Sequence, residues 1–113
     1  MRAMSGVPSF DLIPENVPAM LQALGARLRV ARLRRRLRQE DVAAKLGFSR
    51  DTINAVERGR MTTSVGVYLS VLWVYGLQRE VELLADPSLD REGAALTFDV
   101  AEKRVKVRKG HAV

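Results

Sequence analysis

At 113 residues the chain has room for one core with short tails, and its 47% apolar and 28% charged residues are the proportions of an ordinary globular domain. The absence of cysteine excludes disulfide scaffolds, thiolate metal sites and cysteine nucleophiles, and one histidine, His111, gives no basis for a histidine triad or zinc cluster. The net charge of +6 is uneven: residues 27–60 hold eleven Lys/Arg against four Asp/Glu, residues 76–99 two against six, and residues 101–113 five against one. A basic block in a chain of pI near 10.5 is the electrostatic footprint of a nucleic-acid binder. The acidic block beside it suggests a second partner or internal pairing.

Residues 1–17 contain Gly6, Pro8 and Pro14 without sustained periodicity, and are expected to form an irregular arm. A first helix is expected to Arg36, with Asn16 as its N-cap and Pro18 in its first turn. Leu21, Leu24, Leu28 and Ala31 recur on one face, and seven arginines between Arg27 and Arg38 clothe most of the remainder. Arg34, Arg35 and Arg36 read as a solvated face rather than a targeting signal. Arg32 lies four residues after Leu28, on the border of the apolar stripe, so it needs an acidic partner or must snorkel outward.

A short second helix is predicted over Gln39–Leu46, with Val42, Ala43 and Leu46 inward and Gly47 at the left-handed C-terminal position. Ser49 is a good N-cap for a third helix, Arg50–Arg58, which Gly59 ends. Thr62, Thr63 and Ser64 offer a cap for a fourth helix, Val65–Tyr75, that is apolar almost all round. Such a helix is buried on two sides, and in so small a chain the second side meets a partner subunit. The apolar stretch Val65–Leu77 is thirteen residues, too short for a bilayer. With no charged-then-apolar segment at the start, a cytoplasmic protein is expected. A fifth helix, Gln78–Ala85, should stop at Asp86-Pro87. Beyond it, Leu96, Phe98 and Val100, then Val105 and Val107, alternate with polar residues and predict two short strands.

Two short helices joined by a glycine-containing turn are what a helix-turn-helix requires. On the third helix, at about 100° per residue, Arg50, Asp51, Asn54, Ala55 and Arg58 fall on one side, opposite Ile53 and Val56. Arginine can chelate guanine O6 and N7, and asparagine adenine N6 and N7. No paired carboxylates, phosphate loop or nucleophile–base pair suggests an enzyme, and no metal or cofactor is expected.

The string Leu24-Gly25-Ala26-Arg27-Leu28, Arg32, Gln39-Glu40-Asp41-Val42-Ala43, Leu46-Gly47-Phe48-Ser49-Arg50, Ile53 and Glu57-Arg58-Gly59-Arg60 resembles the XRE, or Cro/cI-like, repressor family over residues 21–77. The resemblance implies an all-α, five-helix Cro/cI-like helix-turn-helix domain over residues 18–86, with residues 87–113 as an extension carrying a strand or hairpin and a basic tail. It implies base reading by Arg50, Asp51, Thr52, Asn54 and Ala55. Phosphate contacts would come from Gln39, Ser49, Arg58, Arg60 and Thr62, and Arg32 and Glu57 would form an internal ion pair. Asp51 departs from the Gln, Ser or Arg that many relatives carry there; beside phosphates it must accept from cytosine N4 or orient Arg50.

The segment from Thr62 to Pro87, with the strand and basic tail after it, looks like the HipB-type antitoxins. That narrower resemblance implies a homodimer on an inverted-repeat operator in double-stranded DNA, with a HipA-like kinase toxin as partner and no membrane. The dimer interface is expected at Val71, Trp73, Tyr75 and Phe98, helped by a strand pairing between subunits. Two other readings are a stand-alone XRE-type regulator without a toxin and a helix-turn-helix that bridges proteins.

Overall fold

The computed structural model describes residues 9–107. It contains five α-helices: α1 (Asn16–Arg34), α2 (Gln39–Leu46), α3 (Arg50–Glu57), α4 (Val65–Val74) and α5 (Arg91–Val107). Two 3-10 turns, Gln78–Leu83 and Pro87–Leu89, lie between α4 and α5, and there is no strand among the described residues. The chain divides into two units, Met1–Leu77 and Gln78–Val113.

In the first unit the apolar faces of α1 to α4 meet in one core. Leu28 from α1, Val42 from α2, Ile53 and Val56 from α3, and Val71 from α4 are its fully buried side chains. Each contributes roughly 1.5–3 kcal/mol of transfer free energy. Gly25 lets α1 approach α3 backbone to backbone: a Cβ there would lie 2.5 Å from the Val56 carbonyl oxygen and 2.6 Å from that of Glu57. No side chain fits at this crossing. Helix α1 is shorter than the helix-former run suggests, because Arg36 turns left-handed (φ 56°) and ends it. At its start, Asn16 is the first helical residue and Glu15 the cap, without a side-chain bond.

Local signals placed the other ends. Gly47 takes φ 71° at the end of α2, a left-handed geometry that costs glycine nothing, and its N–H donates to the Ala43 carbonyl. Asp41 accepts from the Arg38 backbone N–H at 2.7 Å at the start of α2. That backbone bond, followed by the Arg38 guanidinium, holds the Asp41 carboxyl below the usual carboxylate range. Ser49 and Ser64 accept from the N–H groups of Thr52 and Val67 at the starts of α3 and α4.

Three expectations are corrected. Residues 96–107 are helical, not strands: Ala101-Glu102-Lys103-Arg104 between the supposed strands are all helix formers and include no turn residue. Asp90 accepts from the Gly93 N–H at 2.9 Å, and Asp99 and Lys103 stand 3.6 Å apart one turn along α5. A strand that pairs between subunits is therefore withdrawn. The predicted fifth helix is instead the 3-10 turn Gln78–Leu83. Val71 and Tyr75, expected at a dimer interface, are 0% and 4% exposed and belong to the chain's own core. A helix apolar on every side carries no indication of which side faces inward, and here the α1–α3 core took that one.

The Tyr75 hydroxyl is buried without a hydrogen-bond partner among the described residues. Burial, and secondarily the Glu57 charge, pushes its pKa from 10.0 up to about 12. With the folded pKa above the unfolded one, this group's stability contribution is whole below pH ~10. It is lost as pH rises through about 12, by about 3 kcal/mol. Denaturation midpoints measured across alkaline pH should show that fall, and Tyr75→Phe should lack it. An equal fall in Tyr75→Phe would assign the loss to other groups.

Candidate nucleic-acid interface

Helices α2 and α3 are joined by Gly47, Phe48 and Ser49 alone, and this short turn makes the pair a rigid bihelical unit. Because Ile53, Val56 and Glu57 are buried, the opposite side of α3 is turned outward. Arg50 and Asp51 on its first turn are exposed, and Thr52, Asn54 and Ala55 are half-buried beside them. Arg58 and Arg60, just beyond α3, are exposed, as are Ser49 and Thr62. The residues expected to read bases thus share one short helix, and four of the five expected phosphate contacts flank it; the fifth, Gln39, is half-buried at the start of α2.

The Ser49 hydroxyl both caps α3 and lies 2.9 Å from the Thr52 hydroxyl. Tyr68 donates to the Arg60 carbonyl at 2.9 Å, which ties the loop after α3 to α4. Burial raises the Tyr68 pKa, so this donor keeps its proton. Arg50 has a loose counter-ion in Glu40, 3.9 Å away, with both side chains largely exposed. Such a pair is worth little in water, so a guanine edge or phosphate can displace it. Neither the Tyr68–Arg60 bond nor the Glu40–Arg50 pair is legible in the sequence. They join residues eight and ten positions apart, brought near by the fold.

Beneath this surface lies a buried ion pair. Arg32 donates to Glu57 through Nε at 2.6 Å and Nη2 at 3.0 Å, and through Nη1 to the Leu37 carbonyl at 2.9 Å. Both residues are 7% exposed. The hydrogen bond to Glu57 raises the Arg32 pKa further, so the guanidinium stays charged. Gln39, at the start of α2, uses its Nε2 to donate to Glu57 Oε1 at 3.0 Å and to Asn54 Oδ1 at 3.3 Å. The pair is thereby linked to the exposed side of α3.

Among the described residues, no cluster of His, Cys, Asp and Glu could hold a metal ion. No helix there is long and apolar enough to cross a membrane. A family model described as a helix-turn-helix domain matches residues 23–84, more than half of the chain. None of the curated proteins searched matches it. The chain belongs to the helix-turn-helix domain family, of the XRE/Cro-like type.

Proposed function

From that membership, which implies DNA binding, we propose that the protein is a sequence-specific transcriptional repressor acting as a homodimer on an inverted-repeat operator. The observation that carries this reading is the outward side of α3, where exposed Arg50 and Asp51 stand with Thr52, Asn54 and Ala55 between the flanking Ser49, Arg58, Arg60 and Thr62. Phosphate contacts position such a helix and base contacts specify its site. We assign the DNA-binding function to residues 18–86 and treat 87–113 as an extension.

The test is binding to selected and random duplexes over a range of salt. A good bidentate base contact discriminates by roughly 1–3 kcal/mol. Arg50→Ala should relax preference at one base pair of each half-site, whereas Arg60→Ala should weaken every duplex and reduce the salt slope by about one. If both variants weakened selected and random duplexes alike, base reading by Arg50 would be wrong. A protein that merely bridges other proteins would prefer no duplex at all.

The finer reading is an antitoxin of HipB type that represses its own operon and neutralises a HipA-like kinase. It draws support from the second unit, where Leu83, Leu84 and Leu89 are exposed in the same segment as the exposed Glu80, Glu82 and Asp90. Acids are of no use against phosphate, and exposed leucines suit a protein partner. Charge reversal at Glu80 and Glu82 should slow capture of the kinase while leaving operator binding intact. Recovery of operator DNA from native cells without a kinase-like protein would leave a stand-alone repressor.

A further inference from the structure

Helices α1 to α4 all close in the same way, but α1 closes on a different residue. In each, the residue after a left-handed position gives its N–H to the carbonyl five residues back: Leu37 to Arg32, Phe48 to Ala43, Arg60 to Ala55 and Leu77 to Leu72. The left-handed residue is Gly47, Gly59 and Gly76 at the ends of α2, α3 and α4, but Arg36, at φ 56°, at the end of α1. In this conformation a Cβ crowds the following carbonyl oxygen, and glycine alone escapes that penalty. Arg36 is held in it by its neighbours. Leu37, half-buried against the core, gives its N–H to the Arg32 carbonyl and accepts Arg32 Nη1 on its own carbonyl at 2.9 Å. Strain of this kind persists where the surroundings fix it, and it gathers at binding sites. Four arginines crowd this turn, and two of them serve the fold. Arg35 donates to the carbonyls of Ala31 and Tyr75, and Arg38 pairs with Asp41. Arg34 and Arg36 are exposed and form no ion pair among the described residues. Arg34 sits in ordinary helix, so only Arg36 stands where a glycine would be more stable.

We infer that Arg36 binds a DNA phosphate from the α1–α2 turn, a contact for which the chain forgoes the more stable glycine. This rests on the DNA-binding reading above and adds an anchor outside α3 and the loop after it. In a helix-turn-helix, the helix before the reading helix crosses the DNA backbone. Here that helix is α2, and Arg36 lies three residues before its first residue, Gln39. Gln39 Nε2 is 3.3 Å from Asn54 Oδ1, which fixes the start of α2 beside the outward side of α3. Three residues of chain reach at most about 10 Å, less than the width of about 12 Å across a major groove. The Arg36 guanidinium therefore stays within range of the phosphates that border the groove α3 enters. A glycine there would relax the backbone and leave that place without a cation.

The experiment compares the full chain with Arg36→Gly, Arg36→Lys and Arg27→Gln, by urea denaturation and by binding to selected and random duplexes over a range of salt. Arg36→Gly should denature at higher urea than the parent, because the strain is gone. It should nevertheless bind selected and random duplexes more weakly by the same factor, roughly fivefold to tenfold per subunit at 0.1 M salt. Its salt slope should fall by about one per subunit. Arg36→Lys keeps the charge and should keep the parent's slope. Arg27→Gln removes an equal charge from an exposed position about two turns back along α1, and should change the slope far less. Arg36→Gly with the parent's affinity and slope would overturn the inference and leave Arg36 to an acidic protein partner or to solvent. A lower urea midpoint in Arg36→Gly would overturn it too, as would an equal fall in slope for Arg27→Gln or for Arg36→Lys. Weakening of the selected duplex alone would make Arg36 a base contact and overturn it likewise. A parent that binds no duplex removes the DNA-binding reading itself.

Discussion

Glu57→Ala should lower the stability of the helical domain by about 3–5 kcal/mol, a large share of the roughly 5–15 kcal/mol typical of a domain. Arg32 is 7% exposed and gives two of its N–H groups to Glu57, so the variant would leave a charged guanidinium buried without its counter-ion. Little relaxation is open to it. Its Nη1 is held by the Leu37 carbonyl, and Gly25 packs α1 against the Glu57 backbone itself. Removing both charges is a different experiment. Arg32→Met with Glu57→Leu replaces an ion pair by apolar volume, a change that is often neutral or stabilising. Urea denaturation should therefore find the double variant near the parent and Glu57→Ala far below it. A Glu57→Ala midpoint close to the parent's would mean that water reaches Arg32. The folded double variant should still bind DNA, since it changes none of the residues proposed to touch bases or phosphates.

Trp73→Asp should convert the proposed dimer to monomer with little loss of fold. Trp73 is 62% exposed and Val65 71% exposed on α4, while Tyr68 and Val71 of the same helix are buried in the core. The outward side of α4 is thus an apolar surface that the chain's own core leaves uncovered. In a two-fold dimer each residue is used twice. Burying one large aromatic contributes about 2–3 kcal/mol, so two contribute about 4–6 kcal/mol, roughly 10³–10⁴ in the dimer constant. Operator affinity should fall with it, because each monomer then engages one half-site. Sedimentation of parent and variant at micromolar concentration is the measurement. A monomeric parent would end the dimer proposal. Val71→Glu is no substitute, since it would place a charge in the core. Phe98→Asp is the informative companion: Phe98 is 71% exposed on α5, in the other unit, and a dimer that survives its loss depends on α4 alone.

Much of the domain was legible in local chemistry. Ser49 and Ser64 at their caps and Gly47 at its turn are decisions of neighbouring residues, so they could be read along the chain. The outward set on α3 followed from helical periodicity, because the apolar residues Ile53 and Val56 are large enough to dictate which side is buried. Residues 96–107 were misread because a few alternating apolar positions fit a strand or a helix equally. The absence of a turn residue at Ala101–Arg104 was the better signal.

What the chain alone determined is where α2, α3 and α4 begin and how α2 turns into α3 and presents its polar residues, since those choices are made within a few residues by backbone geometry and capping. Arg32 was recognisable as an arginine in want of an acid for the same reason: its misplacement on an apolar border is a local fact. Only the tertiary structure decided which side of the wholly apolar α4 faces the core, sending Val71 and Tyr75 inward and leaving Trp73 outside. It alone brought Gln39 between Glu57 and Asn54, residues eighteen and fifteen positions away. Hydrogen-bond direction is set by which acceptor lies within about 3 Å. That proximity is a property of packed helices, which no periodicity along the chain encodes.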